Sequence, residues 1–339
     1  MNRRTRSAAA LTVLVLAVAC GQQESGAFRP EGTSARELNV LFWVLVVAGA
    51  AVFVGVMITL VLAAFASRDD EHRAGEPDEE ARRQRHERRS SRLVLGGGVV
   101  LPVIVLVPLT IMMLVVGDRL SPRLGDAYEI EVIGHQFWWE VVYPDAGVVT
   151  ANEIHIPTDT RVRVNLATTD VIHSFWVPQL AGKIDMIPGE TTEVLIDAER
   201  PGTFIGQCAE FCGVQHARMR FLVIAQPPDE FEQWLVEQAA DAAEPESDEA
   251  RRGADVFVEV GCAACHAVRG TEATGVVGPD LTHLASRQTL GALTLANRRG
   301  QLAGWITDPQ ATKPGNSMPP TPLSSEQLLD LLAYLEGLQ

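Results

Sequence analysis

The sequence predicts a multidomain membrane protein: a two-helix transmembrane hairpin, then an all-β sandwich, then a small all-α domain. Three observations carry that prediction. The chain has 339 residues, 47% of them apolar, and the apolar excess is concentrated in blocks near the N-terminus. A run of short strands broken by turn signals follows, from Tyr128 to Ala225. Helical periodicity then takes over and lasts to the end.

The first apolar block follows Arg3, Arg4 and Arg6 and runs over Ala8–Ala19 before stopping at Cys20-Gly21. A basic start, a short apolar stretch and small residues at the break make residues 1–19 an export signal. The string Leu16-Ala17-Val18-Ala19-Cys20 resembles a bacterial lipoprotein cleavage box, which puts lipid on Cys20. Ordinary cleavage, leaving a free thiol, is the other reading.

Within 38–117, the segments 39–66 and 93–116 are almost uninterruptedly apolar, and each exceeds the roughly 20 residues needed to cross a bilayer. Arg68, Arg73, Arg82, Arg83, Arg85, Arg88, Arg89 and Arg92 lie between them, which makes that loop cytoplasmic. The chain is then a two-pass protein of the bacterial inner membrane, with both termini on the outer face.

Strands are predicted at Tyr128–Ile133, Trp138–Tyr143, Val162–Ala167, Glu193–Asp197 and Arg220–Ile224, inside a sandwich domain over 118–226. Residues 227–248 comprise a helix (Asp229–Ala240) and an acidic, Ala- and Pro-containing linker that reads as flexible. Helices follow in 249–339, at Arg251–Val260, Gly300–Thr307 and Ser324–Leu338. The net charge of -15 argues against nucleic acid as a partner.

The chemistry sits in two cysteine clusters. CAEFCGVQHARM supplies the thiolates of Cys208 and Cys212, the imidazole of His216 and the thioether of Met219 within twelve residues. His173, in DVIHSFWVP, offers a second imidazole. Soft sulfur with imidazole suits copper rather than magnesium or calcium. One thiolate suffices for a single copper, so the second suggests two coppers bridged by both sulfurs. A Cys208–Cys212 disulfide and a structural zinc site are the alternatives.

The second cluster is CAACH, Cys262–His266. Two thiols spaced C-x-x-C with His266 directly after are the attachment signature of heme c, in which Cys262 and Cys265 bond the porphyrin and His266 ligates the iron. Met318, the only methionine after Met219, is the expected sixth ligand, and His283 is its rival.

The span Tyr128–Ala225 with the two preceding helices resembles subunit II of the heme-copper cytochrome c oxidases. The matching pieces are GHQFWWE (Gly134–Glu140), TTDVIHSFWVP (Thr168–Pro178), KIDMIPGE (Lys183–Glu190) and CAEFCGVQHARM. The resemblance implies a cupredoxin-like Greek-key sandwich holding the dinuclear copper centre CuA. Its ligands would be His173, Cys208, the backbone carbonyl of Glu210, Cys212, His216 and Met219. The Glu210 side chain would face a magnesium ion shared with subunit I. Electrons would enter near Phe137, Trp138 and Trp139, although Phe137 stands where the family usually has Trp. Leu95 likewise replaces a glutamate common at a proton-channel mouth. The stretch Glu249–Gln339 resembles a class I cytochrome c domain, GPDL (Gly278–Leu281) included.

The function so implied is electron input to a respiratory oxidase. Heme c passes electrons to CuA and CuA passes them to subunit I, which reduces oxygen to water with proton translocation; no catalytic residue is expected in this chain. The partners would be subunits I and III, a cytochrome c or cytochrome bc1-type donor, and membrane lipid. The alternatives are the electron-input subunit of a nitric oxide reductase and a free-standing membrane-anchored electron carrier.

Overall fold

A computed structural model describes residues 26–71, 79–121 and 127–339. The export signal 1–19 and Cys20 lie outside the described residues, as do 72–78 of the inter-span loop and 122–126. Two compact units are present.

One unit is the helical pair. Helix α1 (Thr33–Glu71) contains the first apolar segment. The second begins earlier than expected: the arginine-rich stretch is already helical in α2 (Glu79–Leu95), which continues through a π-type segment, Gly96–Val100, into α3 (Leu101–Leu120). The wide turn falls on Gly96-Gly97-Gly98, where no side chain holds the helix to its usual pitch. Both helices are long and apolar enough to cross a membrane, and their apolar side chains are almost wholly uncovered by protein. That is the surface a lipid-facing helix needs, since all its backbone bonds close internally. Arg119 pairs with Glu37 at 3.1 Å, joining α1 to α3.

The other unit contains a sandwich and a helical domain. The sandwich has ten strands: β1 (Tyr128–His135), β2 (Trp138–Tyr143), β3 (Val148–Ala151), β4 (Glu153–Pro157), β5 (Val162–Thr168), β6 (His173–Trp176), β7 (Ile184–Met186), β8 (Thr192–Ile196), β9 (Gly202–Cys208) and β10 (Arg220–Gln226). They form two five-stranded sheets, ordered β3-β2-β1-β5-β8 and β4-β10-β9-β6-β7. Each sheet includes one parallel pair, β1 with β5 and β4 with β10. Strand β2 shows why the sheets face each other: Trp139, Val141 and Tyr143 point inward while Trp138, Glu140 and Val142 are partly exposed. Trp139 is wholly buried against Phe175 and Phe221. Truncating such a side chain to alanine costs about 3–5 kcal/mol. Helix α4 (Pro228–Ala239) closes one end, setting Phe231 and Trp234 against Tyr143.

The helical domain has its own core, with Val256, Phe257, Leu302, Ile306, Leu331 and Leu335 at its centre. Helix α5 (Asp248–Glu259) starts on a Ser247 cap, and α8 (Ser325–Glu336) on a Ser324–Gln327 capping box. They cross at Gly253, where an added Cβ would fall 2.0 Å from the Asp330 carbonyl oxygen, so only glycine permits the approach. Arg252 fastens the crossing through both carboxylate oxygens of Asp330, at 2.9 and 2.6 Å. Helices α6 (Arg299–Thr307) and α7 (Pro309–Thr312) complete the set. A short hairpin of two-residue strands, β11 (Thr289–Leu290) with β12 (Leu295–Ala296), sits among the helices. Strands of two residues leave no periodicity in a sequence.

The linker is not the free tether that its composition suggests. Ala242 N–H donates to Arg269 O, Arg269 Nη1 donates to Ala239 O, and His283 Nε2 lies 3.1 Å from Ala240 O. Ala239 and Ala240 tie the end of helix α4, and Ala242 the start of the linker, to the helical domain, and helix α5 begins where the linker ends.

Candidate functional site

Strand β6, the end of β9 and the loop before β10 bring the first cluster together. The Sγ atoms of Cys208 and Cys212 stand 3.8 Å apart, and neither cysteine is in a disulfide. His173 Nδ1 lies 3.8 Å from Cys208 Sγ. His216 Nδ1 and Met219 Sδ lie 3.9 and 3.8 Å from Cys212 Sγ. The Glu210 carbonyl oxygen is 3.1 Å from Cys208 Sγ. All six predicted donor atoms therefore converge. His173 and Met219 are wholly buried, and both thiols nearly so. Asp170 Oδ1 sits 2.8 Å from His173 Nε2, fixing the ring so that Nδ1 faces the sulfurs.

The electrostatics ask for a cation. A hydrogen bond from Cys212 holds the Cys208 thiol far below its ordinary value, while the same bond and burial push Cys212 up. Alone, the pair gives up one proton readily and keeps the other, because two thiolates this close repel. A metal between them removes that repulsion. Burial pulls His173 down, but its hydrogen bonds to Cys208 and Asp170 outweigh this and raise it.

The residues named for electron input part company. Trp139 belongs to the core, with its ring 6.0 Å from that of His173, and offers no surface. Phe137 is 6% exposed, its ring packed in the sandwich core beside Gly213 of the loop that carries Cys212. Trp138 is half-buried, stacked on His135 at 4.4 Å, and faces the cavity described next.

That cavity, about 370 Å³, is lined by Cys262, Cys265, His266 and Met318 together with His135 and Trp138 of the sandwich. His266 Nδ1–H donates to Pro279 O at 2.7 Å, leaving Nε2 free toward the cavity. Burial lowers its pKa and favours the neutral ring that a metal requires. Gly275 and Gly278 let the chain close on the motif: added Cβ atoms would fall 2.5 Å from Cys265 C and from the His266 ring. Both thiols, one imidazole and one thioether on a mainly apolar wall fit a heme. His283 does not line this cavity. Its Nδ1 lies 2.7 Å from Gln339 O, and its Nε2 is the group beside the linker.

The side chains of Glu210 and Lys183 lie outside the cluster around Cys208 and Cys212. Both side chains are about half-exposed, with Lys183 Nζ 4.0 Å from Glu210 and 3.7 Å from Asp185.

The family described as cytochrome C oxidase subunit II, periplasmic domain, matches residues 146–226, and the family cytochrome c matches 250–339. Cytochrome c oxidase subunit 2 of Alkalihalophilus pseudofirmus is 35% identical over 331 residues, covering 96% of this chain and 94% of the relative. The chain belongs to the cytochrome c oxidase subunit 2 family. The Bacillus subtilis subunit 2 is 34% identical over 70% of this chain and 71% of its own length. Among solved structures, the periplasmic domain of subunit II of cytochrome oxidase of Bradyrhizobium japonicum is 31% identical, covering 34% of this chain and 96% of that one, with a TM-score of 0.33. As a subunit 2 with two apolar helices, the chain is membrane-anchored.

Proposed function

We propose that this chain takes electrons onto a heme c, passes them to a dinuclear copper centre, and delivers them to subunit I of a cytochrome c oxidase. Oxygen reduction and proton translocation then take place in that partner. The observation that carries the reading is the convergence of six donor atoms around Cys208 and Cys212, with the CxxCH cavity opening against the same sandwich. The copper pair would supply a one-electron carrier whose charge is shared over two ions.

The chain's residues do the rest. Cys208, Cys212, His173, His216, Met219 and the Glu210 carbonyl would hold the copper pair. Burial of Cys208, Cys212, His173 and Met219 limits water access and so keeps the rearrangement on oxidation small. Cys262 and Cys265 would hold the heme covalently, and His266 and Met318 would be the donors to its iron. A thioether opposite an imidazole raises the potential. The half-exposed Glu210 carboxylate is available to a magnesium ion at the subunit I interface, and subunit III completes the assembly. Cytochrome c or a cytochrome bc1-type complex would refill the heme. The excess of arginine over 68–92 supports a cytoplasmic loop, with both redox domains on the outer face and Cys20 as a lipid anchor after cleavage.

The test is metal and heme analysis of the chain purified with its subunit I. Two coppers and one non-extractable heme per chain are expected, with a paramagnetic signal from one electron shared over both coppers. A single copper, or heme removed by acid acetone, would sink the reading.

A further inference from the structure

Two loops bearing the donor groups meet directly. The loop from Cys212 to Met219 carries His216, and the stretch 312–318 carries Met318. Gln215 Nε2 donates to Pro314 O at 2.7 Å, and Arg218 donates to Thr312 O. A Cβ on Gly315, whose φ is +81°, would fall 2.7 Å from Val214 Cγ2, so the two backbones come as close as side chains allow. Between them lies Lys313, 2% exposed. Its Nζ donates to Phe137 O in the sandwich at 2.7 Å and to Gly291 O in the helical domain at 3.0 Å. The chain has 28 basic residues but only two lysines, Lys183 and Lys313, and one of them is buried at this junction.

Burying an amine this completely is costly, and burial pushes Lys313 down to about 7. What it gains is two carbonyl partners in different domains. The path onward is short. Phe137 follows Gln136, whose Nε2 donates to the carbonyl oxygen of Cys212 at 2.6 Å. On the other side, Gln310 stiffens the Met318 loop, bonding Gly315 N–H and the carbonyls of Asn316 and Met318, each at 2.9 Å.

We propose that Lys313 is the positioning residue that pins the heme-bearing domain onto the copper-bearing domain, fixing the geometry in which electrons cross within the chain. Two hydrogen bonds, Lys313 to Phe137 and Gln136 to Cys212, then join the Met318 loop to a copper-bridging cysteine by a continuous bonded route. The crossing is one electron: the heme iron is oxidised by one, the copper pair reduced by one, and no bond forms or breaks. This rests on the functional reading above and adds that the two domains work docked, not tethered.

The test uses the full-length chain in detergent, loaded with both cofactors. Amine acylation with peptide mass spectrometry needs no variant: half-exposed Lys183 should label quickly and Lys313 many times more slowly. Labelling of both at one rate overturns the proposal. In Lys313→Met, the heme and copper spectra should be unchanged while photo-initiated heme-to-copper transfer slows several-fold, up to about tenfold, the range expected in docking from losing one hydrogen bond across the junction. The remaining transfer should also slow with added glycerol, because the domains must now find each other, whereas the wild-type rate should not. An unchanged rate with both spectra intact overturns the proposal and leaves the functional reading standing. A wild-type chain that binds no heme or no copper pair overturns both.

Discussion

Cys208 Sγ and Cys212 Sγ face each other at 3.8 Å without a bond, and every other sulfur or nitrogen of the cluster lies against one of them. The separation leaves each sulfur with lone pairs directed into a shared space. Cys212→Ser and Cys208→Ser should therefore each abolish the two-copper centre, leaving at most one copper per chain. The heme should stay, since its donors come from a separate core. Copper and heme quantification on the same sample checks this, and two coppers retained in either variant would contradict it.

Met318 and His283 separate cleanly. Met318→Ala should leave the heme attached through Cys262 and Cys265 but lose the low-spin His/Met absorption. His283→Ala should leave the spectrum alone and lower stability by about 1–3 kcal/mol, because it strips a partner from Gln339 O and Ala240 O. Absorption spectra and unfolding of the two variants decide the matter; an altered spectrum in His283→Ala would reverse the assignment.

His155 sets an acid limit. Its ring stacks on Trp234 at 4.0 Å and its Nδ1 lies 2.6 Å from Gln226 Oε1. Burial lowers its pKa to about 4. Above pH 6.5 both folded and unfolded forms are neutral at this site. Between 6.5 and 4 the unfolded chain takes up a proton that the folded one refuses, so stability falls with pH by up to about 3 kcal/mol. His155→Phe keeps a ring on Trp234 and should flatten this part of the acid dependence. Denaturant midpoints of both proteins at pH 7 and pH 4.5 measure it; equal losses in the two would exclude His155 as the cause.

Both apolar spans, five of the ten strands and the three main helices after the linker were legible because each carries its period over several turns or residue pairs. The strands that escaped notice, β3, β4, β6, β7 and β9, are mostly short, and β4 is buried on both faces, so no alternation shows. The donor residues were legible because sulfur, imidazole and thioether at fixed spacing are rare together. Lys313 was not. A single lysine in a Pro- and Gly-rich loop reads as a solvated charge, and only the placement of Phe137 O above it shows otherwise. The linker misled for the opposite reason: its composition is that of a tether, but composition does not say whether backbone groups will find partners.

Ending the chain after Ala240 tests what the heme domain contributes. All six donors for copper lie between His173 and Met219, and the sandwich core is separate from the helical one, so the copper pair and assembly with subunit I should survive. What is lost is a partner held in contact. Even a free short tether holds its partner at roughly millimolar effective concentration, and the docked arrangement exceeds that. Truncation also frees the Phe137 carbonyl oxygen that Lys313 now holds. Electron input should therefore fall sharply at micromolar soluble cytochrome c and recover only as the added donor approaches the millimolar range. Stopped-flow reduction of the copper centre in full-length and truncated complexes gives both rates. Equal rates at low donor concentration would mean that electrons reach copper by a route that bypasses the heme domain.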